Sequence, residues 1–250
     1  MTSPIQRVLS SLSSHHVQCL LIGGQACILY GGAEFSRDTD IAILASPENL
    51  HRLEKALEEL QASPIAVPPF TSEYLRRGHA VHFRCAHPDA SGMRIDVISV
   101  MRGVDPFEEI WTRRSTVEVA PGESYDVMSL PDLVRSKKTQ RDKDWPMIRR
   151  LIEANYVANR ENPAPEQIEF WLLESRTPSI IREIAAAYPA IARRLSDRRL
   201  FLASITGMGD RELDDALDAE EKREREIDRE YWKPLREELE RLRLERKSIS

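Results

Sequence analysis

Apolar positions near the start recur at helical spacing, with Ile5, Val8, Leu9 and Leu12 on one side, and predict a helix over 5–13. The pattern then shifts to a continuous apolar run, 17–22, which predicts a buried strand ended by Gly23-Gly24. A short helix is expected over 25–30, closed by Gly31-Gly32, because glycine adopts the backbone conformation that ends helices. A second strand is expected over 38–44. Ser46-Pro47 then supplies an N-cap and a first helical residue, and Leu50, Leu53, Leu57 and Leu60 give the next helix one apolar stripe.

The segment "SPIAVPPF" is too rich in proline for regular structure and predicts a loop. Strands at 79–85 and 93–100, joined by "AHPDASG", form an expected antiparallel hairpin, and a second pair is expected at 116–119 and 125–129 around Pro121-Gly122. From Pro131 onward the pattern is helical, with helices at 165–175 and 178–188 and a highly charged stretch over 210–247. In that stretch Ile227, Tyr231, Leu235, Leu239 and Leu242 form one narrow apolar stripe, suited to packing on the body or on a partner, and Pro234 is expected to kink or split the helix. The expected class is α+β: a small mixed, mostly antiparallel sheet flanked by helices over 1–160, then an all-helical C-terminal region over 161–250, with a soft boundary at "NRENPAP".

Composition narrows the setting. With 41% hydrophobic and 31% charged residues the chain has the balance of a folded globular protein. It contains no apolar run near the roughly 20 residues that span a bilayer, and its first residues lack the apolar core of a signal peptide. Cys19, Cys27 and Cys85 are scattered and include no Cys-x-x-Cys pair, which disfavours a disulfide framework or a zinc knuckle and fits a cytoplasmic location. A net charge of −5 argues against indiscriminate nucleic-acid binding by the whole surface, while leaving room for a local basic site.

Candidate chemistry lies where carboxylates interrupt aliphatic strands. Asp38 and Asp40 are two apart, so they share one side of the expected second strand. Two carboxylates that close repel, and a divalent cation such as magnesium, which prefers oxygen ligands, removes the conflict. Asp96 interrupts "MRIDVISV" in the same way, and the three acids converge if the two strands are neighbours. Gly23 and Gly24, between strand and helix, would present backbone N–H groups to an anion that approaches closely because no side chain intervenes. An anion site facing an acidic metal site is suited to a nucleoside triphosphate. Downstream, Lys137, Arg141 and Asp144 are spaced four and three apart and are expected on one helix face, flanked by Lys138 and Lys143.

"GGQACILYGGAEFSRDTD" resembles the signature of the nucleotidyltransferase superfamily related to DNA polymerase beta: a Gly-Gly pair, a spacer, Asp-x-Asp, and a later strand-borne Asp. Within it, Gly23, Gly24, Ser36, Asp38 and Asp40 are similar to the pattern of minimal bacterial nucleotidyltransferases of abortive-infection and toxin–antitoxin type, and "DLVRSKKTQRDKDWPMIRRL" is similar to their basic helical segment. The resemblance covers about 17–151 and none of the C-terminal helices. It implies ATP or another nucleoside triphosphate as substrate, two Mg2+ ions (or Mn2+) on Asp38, Asp40 and Asp96, and a triphosphate held by Gly23, Gly24, Ser36, Lys137 and Arg141. The reaction it implies is in-line displacement at the alpha phosphorus by an acceptor hydroxyl, with Asp96 assisting deprotonation. The acceptor stays open among RNA, a protein hydroxyl and a small molecule such as an aminoglycoside. An antitoxin protein partner would fit the toxin–antitoxin type.

Other assignments of the same residues remain. A rival register equates Asp40 with the first acid and Ala42 with the second, leaving one ligand missing and the protein a non-catalytic nucleotide- or partner-binding relative. A metal-dependent phosphohydrolase would use the same acids with water as acceptor. Taken singly, Asp38 caps a turn and Asp96 pairs with Arg94 or Arg84. His79 and His82, on opposite faces of a strand, are expected to be structural or peripheral, and Trp145, Trp171 and Trp232 to be core anchors.

Overall fold

The computed structural model describes residues 3–33, 35–120 and 122–249. In chain order its elements are α1 Pro4–Ser14, β1 Cys19–Leu21, α2 Gly23–Leu29, β2 Asp38–Ile43, α3 Pro47–Glu59, β3 Ser63–Pro64, α4 Ser72–Arg76, β4 Val81–Arg84, β5 Arg94–Ile98, α5 Phe107–Thr112, β6 Ser115–Ala120, β7 Glu123–Val127, α6 Leu130–Ser136, α7 Asp144–Asn159, α8 Pro165–Glu174, α9 Pro178–Ala187, α10 Pro189–Arg194 and α11 Asp210–Ile249. The chain is α+β, with two compact units that are not contiguous in sequence. One comprises 1–29, 33–136 and 231–250, the other 30–32 and 137–230.

The first unit contains a seven-stranded sheet in the order β3-β4-β5-β2-β1-β7-β6. β2–β5 and β1–β7 pair in parallel and the other four neighbouring pairs are antiparallel, so the sheet is mixed and mostly antiparallel. Alternation decides what each strand shows to which side. Thr39, Ile41 and Ile43 of β2, Ile95 and Val97 of β5, and Val81 and Phe83 of β4 are buried together on one face. α1 and α3 pack on each other, and their stripes bury Val8, Leu12, Leu53, Ala56 and Leu57. Asn49 of α3 is itself buried: its Oδ1 accepts from the Gln18 N–H (2.7 Å), and its Nδ2 donates to the Gln18 and Leu44 carbonyls (both 2.9 Å), pinning α3 to the ends of β1 and β2.

Several expectations need adjustment. Gly23 and Gly24 belong to the first turn of α2 rather than preceding it. Within "SPIAVPPF", Ser63 and Pro64 pair with β4 as a two-residue edge strand, a place where a missing N–H costs little. α4 and α5 are too short to show a periodic pattern. Residues 137–143 are not helical: α6 ends at Ser136 and α7 begins at Asp144, so Lys137 and Arg141 share no helix face. Pro234 does not end α11, which runs through it. There the stripe is held from outside the helix, for Tyr231 and Leu235 lie against Gly78. Ile227 of that stripe is 45% exposed, and its neighbour Asp228 is the buried one, accepting a hydrogen bond from the Gln140 backbone at 2.9 Å. Of the turn expected at Pro121-Gly122, Pro121 lies outside the described residues.

Candidate active site on the acidic face of the sheet

The second face of β2, β5 and β4 carries the charges. Strand pairing sets Asp40 opposite Asp96, and Asp96 opposite His82, in one cross-strand row. The next row sets Asp38 opposite Arg94, and Arg94 opposite Arg84. The three acids expected to converge therefore lie on two adjacent parallel strands, with spacing of about 4.8 Å between neighbouring strands, and all are partly exposed. This resolves the cost of placing carboxylates in an aliphatic run: the aliphatics face the core and the acids face the other way.

Gly23 and Gly24 are needed here for a reason internal to the chain. A Cβ on Gly23 would stand 2.0 Å from Asp40 Oδ2, and one on Gly24 would stand 2.5 Å from Ser36 Oγ. The Gly24 N–H points at Asp40 Oδ2 (3.4 Å), so one of the donors expected to meet a phosphate faces the protein's own carboxylate. Ser36 Oγ donates to the Asp38 carbonyl (3.2 Å), and Gln25 Nε2 donates to the Ser36 carbonyl (3.2 Å), which fastens the entry of β2 to α2. Ala42 is wholly buried, between Leu20 of β1 and Ile98 of β5. The acid-bearing part of β2 is its first half.

Asp96 has resident partners. Arg94 grips it with both ends of its fork, Nε to Oδ1 at 2.6 Å and Nη2 to Oδ2 at 2.9 Å, and His82 Nδ1 lies 2.9 Å from Oδ1 and 3.1 Å from Arg94 Nη2. Burial pushes the Asp96 carboxyl up, but His82 and Arg94 outweigh it and hold the group below the usual carboxylate range. In turn the Asp96 hydrogen bond, against the effect of burial, raises Arg94, and the charges of Asp38 and Asp40 add to it.

From sequence, Arg94 is expected only as one possible partner of Asp96, and His82 as structural or peripheral. Both stand in the acidic strip. The signal for His82 is register: once β4 and β5 form a hairpin, its position opposite Asp96 follows. His79, by contrast, is buried away from the strip, with Nε2 at 2.8 Å from Glu238.

Lys137 and Arg141 converge on Asp144 instead of presenting a helical face. Asp144 is buried and accepts from Thr139 Oγ1 (2.6 Å) and Arg141 Nε (2.9 Å), with Lys137 Nζ at 3.6 Å. Trp145 Nε1 donates to the Thr139 carbonyl at 2.8 Å, closing the loop over the helix start. Lys138 pairs with Glu174 at 2.6 Å. Trp145 and Trp171 are buried, as core anchors are.

The donor set of Asp38, Asp40 and Asp96 is all oxygen and suits magnesium in kind. Among the described residues, however, no three His, Cys, Asp or Glu side chains are grouped closely enough to hold a metal ion as they stand, and Arg94 engages both Asp96 oxygens. No helix among the described residues is long and apolar enough to cross a membrane.

No protein-family model and no curated protein matches this sequence. Among solved structures, the solution structure of the antibiotic-resistance factor ANT(2'')-Ia aligns at 14% identity and a TM-score of 0.37, over 78% of this chain and 94% of that chain. A likeness that loose leaves the chemistry to be judged from the residues of the strip themselves.

Proposed function

We propose that the chain is a nucleotidyltransferase that moves a nucleoside monophosphate from a nucleoside triphosphate, ATP in the first instance, to a hydroxyl acceptor. The observation that carries this reading is the pairing of Asp40 with Asp96 across parallel strands, with Asp38 on the same face and the Gly23-Gly24 corner against Asp40. Asp38, Asp40 and Asp96 would hold the magnesium, which when bound supplies charge neutralisation for the triphosphate and the displaced oxygens.

The chain's own residues do the positioning. Gly23 and Gly24 let the Asp40 carboxylate and the Ser36 hydroxyl come against the start of α2, which sets Asp40 relative to its own backbone. His82 and Arg94 favour the ionised form of Asp96, the form in which a carboxylate is a metal ligand. Assignment of Lys137 and Arg141 to the triphosphate rests on the resemblance. So does a toxin role with an antitoxin partner.

A second reading is favoured by one observation: Asp96 is already satisfied by Arg94 and His82, as a retained structural acid would be. On that reading the protein binds a nucleotide without turning it over. One experiment separates the two. Pyrophosphate release and label transfer from alpha-labelled ATP with Mg2+ are measured with RNA, an aminoglycoside and a protein extract as parallel acceptors. Transfer that falls about a hundredfold or more in Asp38→Asn, Asp40→Asn and Asp96→Asn supports nucleotidyl transfer. Equal rates in wild type and the three variants defeat it, and magnesium-independent ATP binding without turnover gives the second reading.

A further inference from the structure

We infer that Arg94 is the resident counter-cation of the acidic strip, and that a divalent ion binds at Asp96 in competition with its guanidinium. The inference rests on the metal site proposed above and concerns what that site contains before metal arrives.

Three observations carry it. The first is occupancy. Asp96 has two oxygens, and Arg94 holds both, at 2.6 and 2.9 Å. A carboxylate oxygen has two acceptor sites, so a metal bonded to Asp96 shares an oxygen with the fork and draws charge from the same atoms that hold the guanidinium. The second is register. Arg94 stands directly across from Asp38 and two residues from Asp96, so its guanidinium is carried on the face that bears all three acids. The charges of Asp38 and Asp40 both favour its cationic form, in line with that placement. The third is the histidine. His82 Nδ1 is within hydrogen-bond distance of both Asp96 and Arg94, and a neutral ring nitrogen either accepts from the guanidinium or donates to the carboxylate. The ring therefore stays partnered whether Arg94 remains or leaves.

Charge decides the sign of the effect. The strip carries three carboxylates, and Arg94 and Arg84 are the arginines paired across it. A divalent ion entering while Arg94 remains meets like charge at close range, and it competes for an ion pair with the two parallel bonds that make arginine–carboxylate contacts strong. Arg94 is about one-third exposed at its side chain, 36%, so solvent lies open to it once released. Removing its charge should tighten metal binding, whereas removing a residue that merely braces the strand should loosen it.

The test uses the full chain and Mn2+ alone, with free Mn2+ followed by electron paramagnetic resonance. Arg94→Met is expected to bind Mn2+ at least tenfold more tightly than wild type, and Arg94→Lys, which keeps the charge without the fork, to fall between them. Asp40→Asn is expected to weaken binding in both backgrounds. Equal or weaker binding by Arg94→Met, with wild-type circular dichroism, overturns the inference while leaving the metal site standing. No Mn2+ binding by any folded form overturns the metal site and the inference with it. Should Arg94→Met not fold, the wild-type protein still decides: the Arg94 Nε–H resonance must shift on saturation with Mg2+, and an unmoved signal at saturation overturns the inference.

Discussion

At the scale of single residues, the Gly-Gly corner has an intramolecular cause of its own. Gly23 has a positive φ of 62°, and a Cβ there would meet Asp40 at 2.0 Å. Gly92 also has a positive φ, 77°, but a Cβ there would meet nothing within 4 Å. The two positions separate backbone strain from side-chain approach. Gly92→Ala is expected to cost only the left-handed term, about 1–2 kcal/mol. Gly23→Ala carries the same term and also drives Asp40 from its place, so it should destabilise by about 1 kcal/mol more, and it alone should impair the transfer proposed above. Urea denaturation of both variants checks the difference. Equal losses would mean that Asp40 moves aside without cost.

At the scale of elements, the seam between α1 and α3 is polar as well as apolar. Glu59, near the end of α3, accepts from Arg7 and Ser11, and His15 Nε2 lies 2.7 Å away. Burial pushes its carboxyl up, but the Arg7, His15 and Ser11 hydrogen bonds outweigh this and hold it below its ordinary value. A carboxyl lowered in the folded state adds stability that is complete above its unfolded pKa and disappears as pH falls through the folded one. The side chain is about one-third exposed, 35%, so solvent screening trims the contribution. Glu59→Gln is expected to lower stability by about 0.5–1 kcal/mol at pH 7, and its unfolding curves should merge with those of wild type below the ordinary glutamate range. A difference that persists into acid would assign the effect to packing. Elements such as α1 and α3, with caps and stripes, were legible because their signals are local. α4 and α5 were not, being too short for a period to emerge, and the loop over 137–143 carries a misleading signal, since Lys137, Arg141 and Asp144 have helical spacing but meet around the buried Asp144 carboxylate. The acids of the site were legible as charges interrupting apolar runs. Arg94 and His82 were not, because their roles depend on which strands become neighbours, and that is settled by the packing of the sheet.

At the scale of the whole molecule, the last segment of the chain returns to the unit in which the chain begins. From residue 231 onward α11 belongs with the sheet, and the contact is built around a buried histidine. His79 is wholly buried, lies edge-on to Tyr74 with ring centroids 5.7 Å apart, and meets Glu238 Oε2 through Nε2 at 2.8 Å. Arg77 also pairs with Glu238. The His79 bond, aided by Arg77 and opposed by burial, holds the Glu238 carboxyl below its usual range. Loss of that acceptor would strand Nε2 inside the protein, and His79 Nδ1 is already buried without a hydrogen-bond partner. An orphaned buried donor costs about 1–3 kcal/mol, more than the net worth of a satisfied bond. Glu238→Ala is therefore expected to destabilise the protein by about 1–3 kcal/mol. Glu238→Gln keeps an acceptor for the ring and should cost less than half as much. Guanidinium denaturation of the full chain, followed by circular dichroism, measures both. If the two variants lose the same stability, the charge of Glu238 matters and the buried histidine does not; if only alanine is costly, satisfaction of His79 is what fastens the end of α11 to the sheet.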